Sequence, residues 1–384
     1  MLKRAVRTIG LILVIFLLGG GIAMFSFGGK VNVNTDKSVP GVSTEICDVL
    51  YYGGLAASSH NTQCWQVAVD EANRELLINV DRDRQLLFAD AEGRELYISL
   101  GCYVENLLQA FEAYGYSTAI NYLPDEDKQN IVVHIRYTKN NGDAVNQEII
   151  ETIKRRHADK SEFNSKAIDS EVVKALLEDA HMTSISSSAR VMYFANKSDG
   201  NEMQKYADSK KRISLAAMNR QCQEDSYRQE LSSWLRFSNK EVEEKQDGIS
   251  AEMMGMSGII NAIYYLGFSH EKAMGDSFAN QGIALAEKQL DNCSGCFVVT
   301  SEDNPAGWIN AGRRTQHLWY HCTEYFIAMQ PFSAALELQD TRQSLQQQIE
   351  TGRPLQMILR AGYVDNYGEN QKVRRDLKEY VKAK

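Results

Sequence analysis

Two stretches far apart in the chain carry one apolar pattern at the same offsets, and any fold for this sequence has to accommodate both. In ISLGCYVENLLQAFEAYGY, starting at Ile98, the positions Leu100, Val104, Leu107, Leu108, Phe111 and Tyr114 fall at i, i+4, i+7, i+8, i+11 and i+14. That is the stripe one face of an α-helix presents. In INAGRRTQHLWYHCTEYFI, starting at Ile309, the positions Ala311, Thr315, Leu318, Trp319, Cys322 and Tyr325 repeat those offsets, and Ile98 and Gly101 are matched by Ile309 and Gly312. Two helices, each buried on one side, read as the products of an internal duplication.

The surroundings of the two copies agree with that reading. The first has a helix-like stretch from Glu45 to Tyr52 upstream, then ELLINV (Glu75 to Val80), and IVVHIRY (Ile131 to Tyr137) downstream. The second has a helix from Asp169 to Ala180, capped by Asp169 or Ser170, then the strand-like runs RVMYFAN, CFVVTS and LQMILRAGYV. The expected class is α+β, twice over, with halves at residues 43–150 and 151–384 and a charged insertion in the second at about 206–250.

Ahead of the body, Lys3, Arg4 and Arg7 precede an uncharged segment from Thr8 to Gly29. As a helix it would reach roughly 30 Å, enough to cross a bilayer core. Residues 1–29 are therefore expected to be a transmembrane anchor and 30–42 a polar tether. The basic flank stays cytoplasmic, which places the body outside the cytoplasm. A cleaved signal peptide, leaving a secreted or periplasmic body, is the alternative, because the most apolar part is short and ends at Gly19-Gly20-Gly21. A net charge of -8 and a pI near 5.5 exclude nonspecific nucleic-acid binding, which needs a basic face.

Between the first helix and the first strand runs GLAASSHNTQCWQV, starting at Gly54, dense in hydrogen-bonding side chains. AASSHNTQCWQV resembles the flavin-contacting loop of nitroreductases, with Ala57 and Cys64 standing where prolines are usual, and IKRRHADKSEF resembles the Arg-rich opening of the same fold. Together with GRELYISLG, NPAGWINAG and the ending LQMILRAGYVDNYGENQKVRRDLKEYV, these motifs resemble the fused, duplicated Acg-like branch of that family over most of Glu45 to Lys384.

The resemblance implies two nitroreductase-like halves acting as a pseudo-dimer within one monomeric chain. It also implies FMN, its phosphate met by Arg155, Arg156 and Lys160, joined by Lys372, Arg374 and Arg375 from the tail. Arginine and lysine suit a dianion because they give charge-assisted donors. Ser58, Ser59, Asn61 and Gln63 would read the donor and acceptor edge of the flavin ring. Only one of the two possible sites keeps both signatures, so one FMN per chain is expected, between the halves. The implied activity passes electrons from a reduced donor, NAD(P)H in the family, to a nitroaromatic, quinone or similar small acceptor. The flavin carries that chemistry, so no side chain is named as catalytic. The insertion resembles the lid of the fused branch, and with the extracytoplasmic address it leaves open the alternative of a flavin-binding or storage protein without NAD(P)H-dependent turnover.

Other constellations carry less. Cys293-Ser-Gly-Cys296 has redox spacing but precedes a strand, where a thioredoxin-like motif would open a helix, so a dithiol, a disulfide and plain thiols stay open. With 7 cysteines, at least one is unpaired in the monomer. His317, His321 and Glu324 share a helical stripe that could ligate a metal; no further His or Cys cluster completes a site, and the stripe reads as packing. GMSGI, from Gly255, lacks nucleophile-elbow spacing.

Overall fold

The computed structural model describes residue 31 and residues 33–125, 130–140, 144–164, 166–181, 185, 187–196, 201–349 and 351–384. The expected anchor, residues 1–29, lies outside the described residues, and among those described no helix is long and apolar enough to cross a membrane.

The chain is of mixed α+β class. Its first run of elements is α1 (Thr44–Gly54), β1 (Trp65–Asp70), β2 (Glu75–Val80), α2 (Arg94–Ala113), β3 (Tyr116–Asp125) and β4 (Asn130–Lys139). A connecting helix α3 (Gln147–Arg155) leads to α4 (Ser170–His181) and β5 (Arg190–Ala195). An insertion follows, holding α5 (Asn201–Gln221), α6 (Asp225–Trp234), α7 (Asn239–Lys245), α8 (Gly258–Gly267), α9 (His270–Ala273) and α10 (Asp276–Asp291). Then come β6 (Gly295–Thr300), α11 (Pro305–Glu324), β7 (Ala328–Pro331), α12 (Ala334–Glu337), α13 (Gln339–Ile349), β8 (Leu355–Gly362) and β9 (Val381–Ala383).

The two sheets repeat one strand order. The first runs β3-β4-β2-β1-β9 and the second, read from the matching edge, β7-β8-β6-β5. Within each half the pairings are antiparallel. The extra strand β9 belongs to the C-terminal tail and joins β1 in parallel, Val67 against Val381. The second half thus completes the sheet of the first.

The two patterned segments form α2 and α11, which pack on each other in the most extensive helix pairing of the chain. A side chain at either crossing glycine is impossible. A Cβ on Gly101 would lie 2.1 Å from the carbonyl oxygen of Ile309, and one on Gly312 would lie 2.0 Å from that of Ile98. The contact is self-complementary, the form a two-fold interface takes between subunits.

The expected one-sided burial is corrected here. Nearly every residue of both helices is buried, including Arg94, Glu95, Ser99 and Glu105 on α2 and Arg313, Arg314, Gln316 and His317 on α11. The apolar stripe packs into the core, and part of the polar side of each helix is buried against its partner, while Arg94 reaches Gln356 O of β8 and Glu95 and Ser99 meet the loop after α1. Polar groups there pair across the seam. Arg313 Nε donates to Glu105 Oε2 at 2.9 Å, and Gln316 Nε2 to Asn106 Oδ1 at 3.1 Å.

The insertion has its own small core around Leu235, Phe237, Tyr264 and Tyr265, and it is fastened to the first half. Asp247 pairs with Arg84, and the Glu230 carboxylate accepts from the backbone N–H of Phe88 and of Ala89 at 3.0 and 2.8 Å. The tail also crosses to the first half, beside Thr35 and Asp36. Leu377 N donates to Asp36 O at 2.9 Å, and Thr35 Oγ1 to Arg374 O at 2.8 Å. All seven cysteines are free.

Candidate functional site

A cavity of about 730 Å³ opens where the two halves, the tail and the insertion meet. Its floor includes Ser99 and Cys102 of α2 and Thr315 and Trp319 of α11, and its roof includes Leu231, Leu235, Met253, Met254 and Met256 of the insertion. The size suits a drug-sized or cofactor-sized ligand.

One wall is the loop after α1. This loop bends sharply, with His60, Asn61 and Gln63 all at positive φ (49°, 54° and 51°), a conformation that costs energy in non-glycine residues and concentrates at functional sites. Bonds from three directions hold it there. Ser59 Oγ donates to Glu95 Oε2 at 2.5 Å, Asn61 Nδ2 to Gly248 O at 3.1 Å and Val373 O at 3.2 Å, and Ser58 Oγ accepts from Gln63 N at 3.1 Å. Much of the hydrogen-bonding capacity of the loop therefore ties α2, the insertion and the tail together.

Of the residues singled out in the sequence, Ser58, Ser59, Asn61, Arg156, Lys160 and Arg374 line the cavity. Gln63, Arg155, Lys372 and Arg375 do not. Gln63 donates to Gln246 O at 2.8 Å and accepts from Arg375 N at 2.9 Å, so it clamps insertion and tail. Arg375 is taken up by Gln63 O at 2.6 Å and by the Tyr380 ring, 5.2 Å away. Arg155 lies over the ring of Phe326, 5.1 Å from its centre, and Lys372 holds a left-handed turn at φ 55°.

None of the three cations at the cavity has an ion pair among the described residues, and Asp159, which lines the same wall beside Lys160, gives its carboxylate to Ser161 and His157. Arg374 is nearly saturated by carbonyls at the end of α1, its Nε donating to Gly54 O at 2.5 Å and its Nη2 to Leu55 O at 3.0 Å and Ala56 O at 3.1 Å. Those carbonyls have no helical donor, so the guanidinium serves as their cap. Arg156 donates to Leu55 O at 2.6 Å and lies over the Trp319 ring, while its buried Nε finds no hydrogen-bond partner among the described residues. No hydrogen bond or ion pair of the Lys160 ammonium is found among the described residues. Burial presses all three toward neutrality, with Lys160 lowered to about 8, Arg156 to about 10 and Arg374 to about 9.

Carboxyls line another part of the wall. Glu95 and Glu337 both reach the cavity. Burial and then the Glu95 charge push Glu337 up to about 8, and the same two causes push Asp90, just outside, up to about 7. His60 also lines the cavity with Nδ1 buried and unpartnered, and burial lowers it to about 4, so its ring is neutral at pH 7. Sequence reading missed His60, Glu95 and Glu337 as wall residues. His60 lay inside the quoted loop, and its position beside Asn61 was the one available signal.

No family model matches the chain, and no curated protein does. Among solved structures the chain is similar to an FMN-bound nitroreductase from Desulfitobacterium hafniense, at 12% identity over 57% of this chain and 90% of that one, with a TM-score of 0.36. It is also similar to the FMN-dependent nitroreductase NfnB from Mycobacterium smegmatis in complex with NADPH, at 16% identity, 61% and 96% coverage and a TM-score of 0.37. A third is the FMN- and NADPH-dependent NfnB from a Sphigopyxis strain, at 14% identity, 58% and 91% coverage and a TM-score of 0.35. Likeness at this level leaves the functional reading to rest on the chain's own residues.

Proposed function

We propose that the chain is an FMN-dependent oxidoreductase of the nitroreductase type, holding one FMN in the cavity between two halves that arose by duplication. The observation that carries this reading is the set of buried cations at a cofactor-sized cavity with no ion pair of their own among the described residues. A buried charge without a counterion is costly, and a bound phosphate would remove the cost. The donor set fits the group: Lys160 and the unpartnered Nε of Arg156 would hold the phosphate, and Ser58, Ser59, His60 and Asn61 would flank the ring. Arg374 acts mainly by holding the loop that carries them. Bound flavin would supply hydride and electron transfer from a reduced donor to a nitroaromatic, quinone or similar acceptor. The chain itself positions the ligand, excludes water beneath the methionine-rich roof, and keeps the Glu337 carboxyl protonated at neutral pH.

The test is direct. The purified full-length chain should be yellow and release FMN in a ratio near one per chain. A colourless protein that cannot be reconstituted with FMN overturns the reading, and a ratio near two overturns the single site.

The roof favours a second reading, a flavin-binding protein without NAD(P)H-dependent turnover. Dithionite bleaching the bound flavin much faster than NADPH would support it; equal rates, followed by reoxidation with a quinone, would remove it. We further propose that the chain is a monomer anchored by residues 1–29 with its body outside the cytoplasm. Protease added to intact spheroplasts should digest the body, and protection until lysis would overturn that address.

A further inference from the structure

We propose that Asp179, His317 and His321 form a binding site for one divalent metal ion of the zinc class, separate from the cavity. The two histidines sit at i and i+4 on α11, and Asp179 approaches them from the C-terminal end of α4. One ligand atom from each lies within 4.8 Å of the others.

What points to a metal is the state of the ring nitrogens. His317 Nδ1 lies 3.2 Å from Glu105 Oε1, and His321 Nδ1 lies 2.8 Å from Glu324 Oε2. A carboxylate at Nδ1 with Nε2 turned toward the ion is the arrangement by which proteins orient metal-ligating histidines. His317 is only 8% exposed, and its Nε2 is buried with no hydrogen-bond partner among the described residues. That nitrogen faces Asp179 Oδ2 at 3.9 Å, while His321 Nε2 lies 2.8 Å from the same oxygen. Two ring nitrogens and one carboxylate oxygen thus converge on one point.

Two imidazoles and one carboxylate suit zinc and its neighbours, at bond lengths of about 2.0 to 2.2 Å. The half-exposed Asp179 side chain leaves one position to water. The ion would tie the end of α4 to the middle of α11, the helix that also brings Thr315 and Trp319 to the cavity.

The full-length chain is titrated with Zn²⁺ by calorimetry and with Co²⁺ in visible absorption. One saturable ion per chain is expected, with cobalt d–d bands and no thiolate charge-transfer band. The absence of that band separates this site from Cys293 and Cys296. His321→Ala and Asp179→Asn, both at accessible positions, should weaken binding by at least roughly 10- to 100-fold, and Glu324→Gln by less, with the metal-free melting temperature of each close to that of the parent. No saturable binding, a thiolate band, or parental affinity in His321→Ala and Asp179→Asn would overturn the site.

Discussion

The two halves of the chain share their strand order and their crossing helices, and they share almost nothing of the cavity wall. The first half contributes the strained loop and the acidic Glu95 of α2, whereas the second contributes Arg156, Lys160, Glu337, the tail arginine and the whole roof. The features that repeat are those a two-layer fold needs in order to close. The features that differ are those that could meet a ligand. A single chain permits this division, because neither half has to serve on both sides of an interface.

The largest expected effect falls on what the halves share. Gly101→Ala and Gly312→Ala should each destabilise the protein by about 3 kcal/mol or more, since the new methyl would meet backbone of the partner helix. Chemical denaturation measures the loss. If one glycine tolerated alanine at a cost below about 1 kcal/mol and the other did not, the crossing would not be symmetric.

Next comes what the halves do not share. Arg156→Ala should weaken FMN by about 1.5 to 3 kcal/mol, the range for a hydrogen bond to a charged group. Lys160→Met should do the same, and Arg155→Ala and Lys372→Ala should leave affinity unchanged, because neither faces the cavity. Fluorescence titration of the apoprotein distinguishes the pairs, and equal losses in all four would mean that the phosphate is held elsewhere.

A smaller effect follows from the Lys160 amine, which burial lowers to about 8. Below that pH the ammonium is charged and favours an anion; above it the charge is lost. Affinity for FMN should therefore fall as pH rises through about 8, by no more than about tenfold per unit for one proton, and Lys160→Met should flatten the profile. An unchanged slope in that variant would assign the titration to another group.

The smallest effect concerns Glu337, raised by burial to about 8 from its ordinary 4.5. The folded state then holds a proton that the unfolded state has released, so this group lowers stability as pH rises from about 4.5 to about 8. Glu337→Gln should reduce that decline, as read in melting temperatures across the window. A profile parallel to that of the parent would mean that the carboxyl is ionised at neutral pH.

Much of the fold was legible because it rests on local periodicity. ELLINV became β2 with the same limits, and Asp169 caps α4 by accepting from Glu171 N at 2.8 Å. Other elements gave weaker signals. WQVAVD, now β1, ran on from a polar loop, and β9 is only three residues long and exists through its partner β1. The site was half legible. Residue type marks Arg156 and Lys160 as anion partners but cannot say that Arg155, next in the chain, turns away, or that Gln63 spends its amide on the insertion. Glu337 and Asp179 were invisible for the same reason, since each acquires its neighbours only when distant helices pack.

The pairing of Val31, Thr35 and Asp36 with the tail also fixes how the molecule bears load. Val31 packs with Val373, Thr35 bonds to the carbonyl of Arg374, and Asp36 N donates to Asp376 Oδ1 at 2.7 Å. Arg374 in turn grips the carbonyls of Gly54, Leu55 and Ala56 at the cavity wall. Tension applied at the N-terminal end of the body would reach these contacts before the crossed helices. The loop at the cavity wall sits on the force path, and the core lies behind it.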